Sequence, residues 1–278
     1  MTRLPDAQRL HVGDITVTAL SDGPLPLGLD HLKGIDAPEY ARLLHMHHAD
    51  PATWRSGLNA FVIRTGDRLV LVDGGVAGHM GPETGRVMSN LKAAGFAPGD
   101  IDTVYVTHMH ADHIAGLMDG DGDAAFGNAA LRIHGDDHAH FTDDANAQDS
   151  TRALLSAYGD RLETYGDADD IAPGLRALHL PGHTPGHSGL EIMSGDATML
   201  LLTDIVHVAP VQLANPEIGT GFDVDIDAAR ETRKAMLDRV SADATPILGS
   251  HITFPGAGVI ERATEGFRMI PAYYSHDS

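Results

Sequence analysis

The chain alternates short apolar runs that end in turns with a few stretches of helical spacing. Runs rich in β-branched residues predict strands, and two of the longer runs are interrupted by a turn and predict hairpins. The predicted strands and hairpins lie at 15–23, 59–75 (hairpin), 101–108, 129–135, 175–183, 189–204 (hairpin) and 245–251. Helices are predicted at 82–95, from about Ile114, and at 225–242, and the polar region 136–170 is predicted to be mostly helical.

This repeating order of strands followed by a helix predicts an α/β protein in which two sheets form a sandwich with helices outside. A length of 278 residues suits one large domain, so we predict a single domain over 1–278. The segment 21–57 fits no core pattern. Long irregular segments in compact domains tend to be functional, and we predict that it forms a substrate or dimer loop.

The amino-acid composition excludes several classes of site and partner. The absence of cysteine excludes disulfides and thiolate metal ligands, whereas 18 histidines suit a site built from imidazole and carboxylate groups. A formal net charge of −20 argues against nucleic-acid partners and anionic membranes, and favours a small-molecule substrate. The N-terminal sequence lacks the apolar core of a signal peptide, and no apolar run is as long as a membrane span, so we expect a cytoplasmic protein.

The stretch "THMHADHIAG" (107–116) follows directly on a predicted strand and concentrates residues that can bind metal. His108 and His110 are two positions apart at the strand end, so their side chains should project to the same side. Asp112 and His113 follow in a predicted turn, where they can reach a neighbouring position. The alternative is a histidine-rich surface loop.

Further candidate ligands occur at the ends of three later strands. "HLPGHTPGHSG" contains His183 and His187, "MLLLTDIVH" presents Asp204, and "PILGSH" presents His251. Taken singly, His183 could belong to a simple turn and Asp204 could be a helix cap. Side chains at the ends of buried strands meet at a shared rim, so these positions can converge on the 108–113 cluster.

Two other histidine-rich stretches lack a preceding strand of this kind. "LLHMHHAD" (43–50) is predicted to be a helix end or lid, and "HGDDHAHF" (134–141) a solvated helix start. Trp54, the only tryptophan, lies in the early loop and is predicted to line an apolar substrate wall. The alternative is an ordinary core tryptophan.

The ordered set of His108, His110, Asp112, His113, His183, Asp204 and His251 resembles the seven-ligand pattern of the metallo-β-lactamase-fold hydrolases, over roughly residues 10–260. The resemblance implies an αββα sandwich with two mixed β-sheets flanked by helices. It implies that His108, His110 and His183 hold one metal ion and that Asp112, His113 and His251 hold a second. Asp204 would bridge the two ions.

The same resemblance implies two supporting residues and a chemistry. Asp73 would brace the ligand loop by hydrogen bonding, although a plain turn residue is the alternative, and His187 would lie beside the pocket or support the ligands. Two divalent ions, with zinc favoured and manganese, iron or cobalt as alternatives, would generate a metal-bridging hydroxide as nucleophile. Asp112 or Asp204 would pass a proton to the leaving group.

Several branches of this family fit the sequence less well. Class B β-lactamases lack the bridging aspartate or use a cysteine, and diiron members have a glutamate where this chain has His110. Nuclease members need a basic surface or an inserted domain. Glyoxalase II-type thioesterases share the ligands but add a basic helical C-terminal region, so a thioester hydrolase remains an alternative.

The branch with methyl parathion hydrolase and the acyl-homoserine-lactone lactonases resembles this chain in more detail, through "TDIVHVAPVQLANPE", "FDVDIDAARETR" and "SHITFPGAG". It implies a hydrolase of lactones or carboxylic esters, with phosphotriester hydrolysis as a side activity, and a homodimer. An alternative of a different class is a non-catalytic metal-binding scaffold or sensor.

Overall fold

Two seven-stranded mixed sheets pack face to face with helices on both outer faces, which confirms the predicted αββα sandwich. The computed structural model describes residues 6–272. In the order in which they pair, the strands of the first sheet are β1 (Ala7–Val12), β2 (Ile15–Leu25), β4 (Ser56–Thr65), β5 (Arg68–Val72), β6 (Thr103–Val106), β7 (Ala130–His134) and β8 (Leu162–Tyr165).

The second sheet is built mainly from the C-terminal half of the chain. Its strands, again in pairing order, are β16 (Phe267–Pro271), β15 (Ala257–Arg262), β14 (Pro246–Leu248), β12 (Ala197–Leu201), β11 (Ser188–Ser194), β10 (Leu175–His179) and β9 (Asp170–Ala172). Two short strands, β3 (Leu32–Lys33) and β13 (Gly219–Thr220), pair with each other outside both sheets. This small pairing connects the early segment to the region before the longest helix.

In the described part of the chain, residues 6–272, seven α-helices complete the layers. They are α1 (Ala37–Met46), α2 (Val87–Ala93), α3 (Ala111–Ile114), α4 (Gly135–Thr142), α5 (Asp149–Tyr158), α6 (Ala209–Gln212) and α7 (Ile226–Asp243). Helices α2, α4 and α5 pack on the outer face of the first sheet, and α7 covers the second sheet. Within residues 6–272, no helix has both the length and the apolar character needed to cross a membrane.

The central strands are apolar on both faces because both faces are covered. In β5, Leu69 and Leu71 pack towards the helices, while Val70 and Val72 pack in the core between the sheets. This arrangement follows from the two-residue period of a strand, and it explains why the sequence shows continuous apolar runs rather than clean alternation.

The segment 21–57 contradicts the prediction that it fits no core pattern. Strand β2 continues to Leu25, and α1 buries Tyr40, Leu43 and Leu44. These side chains form a small separate core with Val208 and other residues around α6. The segment lacked a recognisable pattern because its apolar residues pack on this local partner rather than on a sheet.

Two of the predicted helices begin at other residues than the sequence analysis predicted. The helix predicted over 82–95 is α2, which begins only at Val87 because Gly85 has a φ of 80° and the Asp22 carboxylate accepts hydrogen bonds from the Arg86 and Val87 amides. The helix predicted from about Ile114 begins at Ala111, so Asp112 and His113 lie in its first turn.

Some elements escaped the sequence analysis altogether. Strands β1, β8, β9, β15 and β16 were not predicted, since they are edge or near-edge strands with mixed polarity. The 134–141 stretch does start a helix, but His134 is buried, contrary to the predicted solvated start. By contrast, His45, His47 and His48 are exposed at the end of α1, as predicted.

Candidate metal centre

All the predicted ligands lie at one edge of the sandwich, just after the strands that precede them. His108 and His110 follow β6, His183 follows β10, Asp204 follows β12 and His251 follows β14. Strands β10, β12 and β14 run in the same direction, because β11 is antiparallel to both of its neighbours and β14 is parallel to β12. Their carboxyl ends therefore meet the end of β6 at one rim.

The structure brings the predicted ligands together in two groups of three. The ligand atoms of His108, His110 and His183 lie within 4.8 Å of one another, and His110 Nδ1 is 3.0 Å from His183 Nε2. Asp112, His113 and His251 form the second group within the same limit. We call these the first trio and the second trio, and they match the two sets that the resemblance implied.

Asp204 lies between the two trios. Its Oδ2 is 3.8 Å from Nε2 of His108, 3.6 Å from that of His183, 3.3 Å from that of His113 and 2.8 Å from that of His251. One carboxylate oxygen therefore faces histidines of both trios, which is the position that a bridging ligand needs.

Several buried polar atoms of these candidate ligands lack a hydrogen-bond partner. Among residues 6–272, the buried atoms His108 Nε2, His113 Nε2 and Asp204 Oδ1 have no hydrogen-bond partner. Buried polar atoms almost always have a partner, and these three belong to residues whose ligand atoms lie within 4.8 Å of one another, so they fit a shared cation. Imidazole nitrogens and carboxylate oxygens suit zinc and related divalent ions. The residues fit a divalent metal centre.

Burial and neighbouring charges push the histidine pKa values in opposite directions. Burial holds the pKa of His108 well below its ordinary value and lowers the pKa of His110 to about 4. Burial acts in the same direction on His113, but the carboxylates of Asp204, Asp73 and Asp112 outweigh it and raise the His113 pKa well above its ordinary value. The metal-free protein therefore holds a proton on His113 more tightly than an ordinary histidine would.

We predict that metal loading releases protons. The pKa of His251 is also raised, because Asp204 outweighs the effect of burial, and a histidine must be neutral to bind an ion. Titrating the metal-free protein with Zn²⁺ at neutral pH, in two buffers of different ionisation enthalpy, should give a net release of protons. Metal affinity should fall as the pH falls. Buffer-independent heats would contradict this prediction.

Asp73 supports the second trio. Its carboxylate accepts hydrogen bonds from the Thr107 amide at 2.9 Å and the Thr107 hydroxyl at 2.8 Å, and its Oδ2 is 2.8 Å from His113 Nδ1. These contacts are the bracing that the sequence analysis expected. The residue has a φ of 59°, an uncommon value for a residue other than glycine, which is tolerated where the surroundings hold it firmly.

His187 lies behind the ligands rather than beside the cavity. Its Nδ1 is 2.9 Å from the Leu180 carbonyl oxygen, and its Nε2 accepts a hydrogen bond from the Asp204 amide at 3.4 Å and contacts the Thr203 hydroxyl. Since Nδ1 must donate to the carbonyl, Nε2 is the acceptor. His187 therefore fixes the backbone at Asp204, which is the supporting role among the two that we had left open.

Three residues of the site were missed by the sequence analysis. Asp137 is buried and accepts hydrogen bonds from the Gly186 amide at 2.7 Å and the Met109 amide at 3.1 Å. Asp223 lies 2.9 Å from His183 Nδ1. His207 lies with its Nε2 3.3 Å from Asp204 Oδ2 and forms a further potential metal group with His183 and Asp204. Only His207, three positions after Asp204, could have been suspected from its place in the sequence.

An apolar cavity of about 220 Å³ opens over the two trios. Its walls away from the ligands include Leu25, Leu27, Met80 and Phe222, of which Met80 and Phe222 are 46% and 40% exposed. Trp54 does not line this cavity. It packs against the small core around α1 and α6, and its indole N–H donates to the Ser56 hydroxyl at 3.3 Å, so its predicted role in substrate binding has no contact to support it.

The sandwich, the rim of strand ends and the two trios define a metal-dependent hydrolase of the metallo-β-lactamase fold. The model of the metallo-beta-lactamase superfamily matches residues 54–251, and the chain belongs to this superfamily. The predicted class of enzyme is thereby confirmed.

Among proteins of known activity, the chain is 27% identical over 144 residues to an N-acyl homoserine lactonase from a Bacillus species. This match covers 52% of the chain and 54% of that lactonase. The N-acyl homoserine lactonase AttM from Agrobacterium fabrum is 28% identical over 129 residues, covering 42% of this chain and 45% of AttM. The chain thus spans about half the length of the curated relatives it matches.

Solved structures match over nearly the whole chain. The hydrolase AbOPH superposes with a TM-score of 0.91 at 29% identity, covering 99% of this chain and 100% of AbOPH. AidC, described as a dizinc quorum-quenching lactonase, superposes with a TM-score of 0.89 at 24% identity, covering 98% and 99%. The AidC likeness shows a shared fold.

Proposed function

We propose that this protein hydrolyses lactones of the N-acyl homoserine type with a binuclear metal centre. The observation that supports this proposal is the pair of trios around Asp204 beneath an apolar cavity. The relatives named as N-acyl homoserine lactonases, and the dizinc lactonase AidC with the same fold, favour a lactone as the substrate and zinc as the metal.

The first trio would hold one ion and the second trio the other, with Asp204 in contact with both. When bound, divalent ions supply a nucleophile from water at neutral pH and polarise the scissile carbonyl group. The protein itself contributes the position of the substrate and the transfer of a proton.

The cavity walls suit an amphipathic substrate. Leu25, Leu27, Met80 and Phe222 offer an apolar surface to an acyl chain, and burial of that chain would place the lactone ring against the histidines. The mixture of an apolar wall and a polar floor is typical of small-molecule sites.

Asp112 is the better placed of the two predicted proton carriers. It lines the cavity and its side chain is 16% exposed, whereas Asp204 is enclosed by histidines and 2% exposed. A carboxylate that reaches both the cavity and solvent can pass a proton to the leaving alkoxide and exchange it with water. We assign this step to Asp112.

Acid production tests the proposal. The zinc-loaded protein, in weak buffer with N-hexanoyl homoserine lactone and a pH indicator, should release acid rapidly, because ring opening yields a carboxylic acid. His110→Ala should abolish this release by removing one ligand of the first trio. His45→Ala, on the exposed end of α1, is the matched control and should behave as the unaltered protein.

A fully metal-loaded sample that leaves lactones intact would overturn the lactonase assignment. Phosphotriesters and thioesters would then be tested next, as the side activity and the alternative that the sequence suggested. The homodimer and the cytoplasmic location stay predictions.

A further inference from the structure

Asp223 lies in the segment that joins α6 to α7, next to the cavity residue Phe222. Its side chain is fully buried, and its two carboxylate oxygens have different partners. Oδ1 is 2.9 Å from His183 Nδ1, and Oδ2 accepts a hydrogen bond from the Thr220 amide at 2.8 Å. Both carboxylate oxygens are therefore engaged, one by a candidate ligand histidine and the other by the backbone.

This contact settles which nitrogen of His183 is free. A carboxylate oxygen accepts hydrogen bonds, so the proton of neutral His183 sits on Nδ1 and the lone pair on Nε2. Nε2 is the atom that faces the metal centre, at 3.0 Å from His110 Nδ1 and 3.6 Å from Asp204 Oδ2. Asp223 thus orients His183 with its free nitrogen towards the first trio.

The backbone around Asp223 is fixed from two sides. The Val224 amide donates to the His183 carbonyl at 3.0 Å, and the Asp225 amide donates to the Gly182 carbonyl at 2.9 Å. On the other side, β13 pairs with β3, and the Gly221 amide donates to the His31 carbonyl at 2.8 Å. The early segment therefore helps to hold Asp223 against the ligand loop.

Each trio contains one histidine that is braced by a buried carboxylate. Asp73 plays this part for His113 in the second trio, and Asp223 is its counterpart for His183 in the first trio. Two of the other histidines have uncharged partners instead: His251 Nδ1 is 3.1 Å from the Gly57 carbonyl oxygen, and His108 Nδ1 is 3.2 Å from the Thr107 hydroxyl. Loss of either carboxylate should therefore affect mainly its own trio.

We propose that Asp223 is the positioning residue of the first trio, and that it controls how tightly the ion held by His108, His110 and His183 is bound. This inference rests on the proposed metal centre. Groups that orient a metal-binding histidine typically contribute tenfold to a hundredfold to metal affinity.

The test compares Asp223→Asn with Asp225→Asn in the full-length protein loaded with zinc. Asp225 is the matched control, because its carboxylate accepts from the Asp227 and Ala228 amides at the start of α7 and contacts no ligand of either trio. Zinc per chain is measured by native mass spectrometry, and the dissociation constants by competition with a chromogenic chelator.

Asp223→Asn is expected to lower the affinity for one of the two zinc ions by about tenfold to a hundredfold and to leave the affinity for the other unchanged. Asp223→Glu keeps the charge and should recover part of the loss. Asp225→Asn should retain both ions and change the melting temperature little, because asparagine caps a helix about as well as aspartate. Far-UV circular dichroism establishes that each variant is folded before its metal content is compared.

Two wild-type-like dissociation constants in folded Asp223→Asn would overturn the inference while leaving the metal centre intact. Equal loss of zinc from Asp225→Asn would also overturn it, since the effect would then come from the segment as a whole. If the unaltered protein itself does not bind two ions, the proposed centre fails first. If Asp223→Asn does not fold, Asp223→Glu decides, because wild-type affinity for both ions in that variant would contradict a positioning role that depends on where the carboxylate lies.

Discussion

Replacing Asp204 with Asn is expected to abolish metal loading and turnover together. The carboxylate faces histidines of both trios, and an amide would present an N–H₂ group or a neutral oxygen where an anion is needed. Even groups that only orient a ligand contribute tenfold to a hundredfold to metal affinity. Because Asp204 would be a ligand itself, we expect its replacement to lower the metal affinity by at least about a hundredfold. Zinc content and lactone hydrolysis, measured on the same sample, check this result.

Asp196→Asn serves as the control for that substitution. Asp196 is an exposed residue in the turn that leads into β12, the strand that ends just before Asp204, and its substitution should leave zinc content and activity unchanged. A protein with Asn at 204 that still bound two ions with wild-type affinity would show that Asp204 does not bridge the trios. If activity fell while a partner interaction survived, the non-catalytic scaffold would regain support.

Asp137→Asn is expected to be the most destabilising of the substitutions away from the trios. The buried carboxylate joins the two ligand loops by accepting from the Met109 and Gly186 amides. An asparagine can accept only through its oxygen, so one buried amide would face an N–H₂ group. Leaving a buried donor unsatisfied costs about 1–3 kcal/mol, and more when a charged partner is lost.

For a domain of this size, such a loss corresponds to a fall in melting temperature of roughly 2–4 °C for each kcal/mol. Scanning calorimetry on the metal-free protein separates this effect from metal binding. Asp136→Asn is the neighbouring control, because Asp136 is exposed and its substitution should change the melting temperature little. A melting temperature for Asp137→Asn equal to that of the control would show that the bridge between the loops contributes nothing.

The sequence was most informative where chemistry and local pattern coincide. His108, His110 and the later strand-end ligands could be predicted, because buried strands are recognisable as apolar runs and their ends must meet at a rim. The same reasoning excluded the histidines at the end of α1 as ligands, because no apolar strand run directly precedes them. Asp73 was identified only through the family resemblance.

Other features of the site and the fold could not be predicted, because they depend on contacts between residues far apart in sequence. Asp137 and Asp223 show no local pattern, and their roles arise from loops 49 and 40 positions away that are brought to them by folding. The segment 21–57 was misjudged because its apolar residues pack against α6, a partner that a sequence pattern cannot reveal. Trp54 was placed near the cavity on residue type alone.

The division of the ligands between the sheets has a mechanical consequence. His108, His110, Asp112 and His113 follow a strand of the first sheet, whereas His183, Asp204 and His251 follow strands of the second. Hydrogen bonds such as those that Asp137 accepts from the Met109 and Gly186 amides already join the two layers at that edge, and shared ions would add a further connection. A bound pair of metal ions would therefore cross-link the two sheets. Ion binding would add directly to the free energy of unfolding, because the unfolded chain offers no such site.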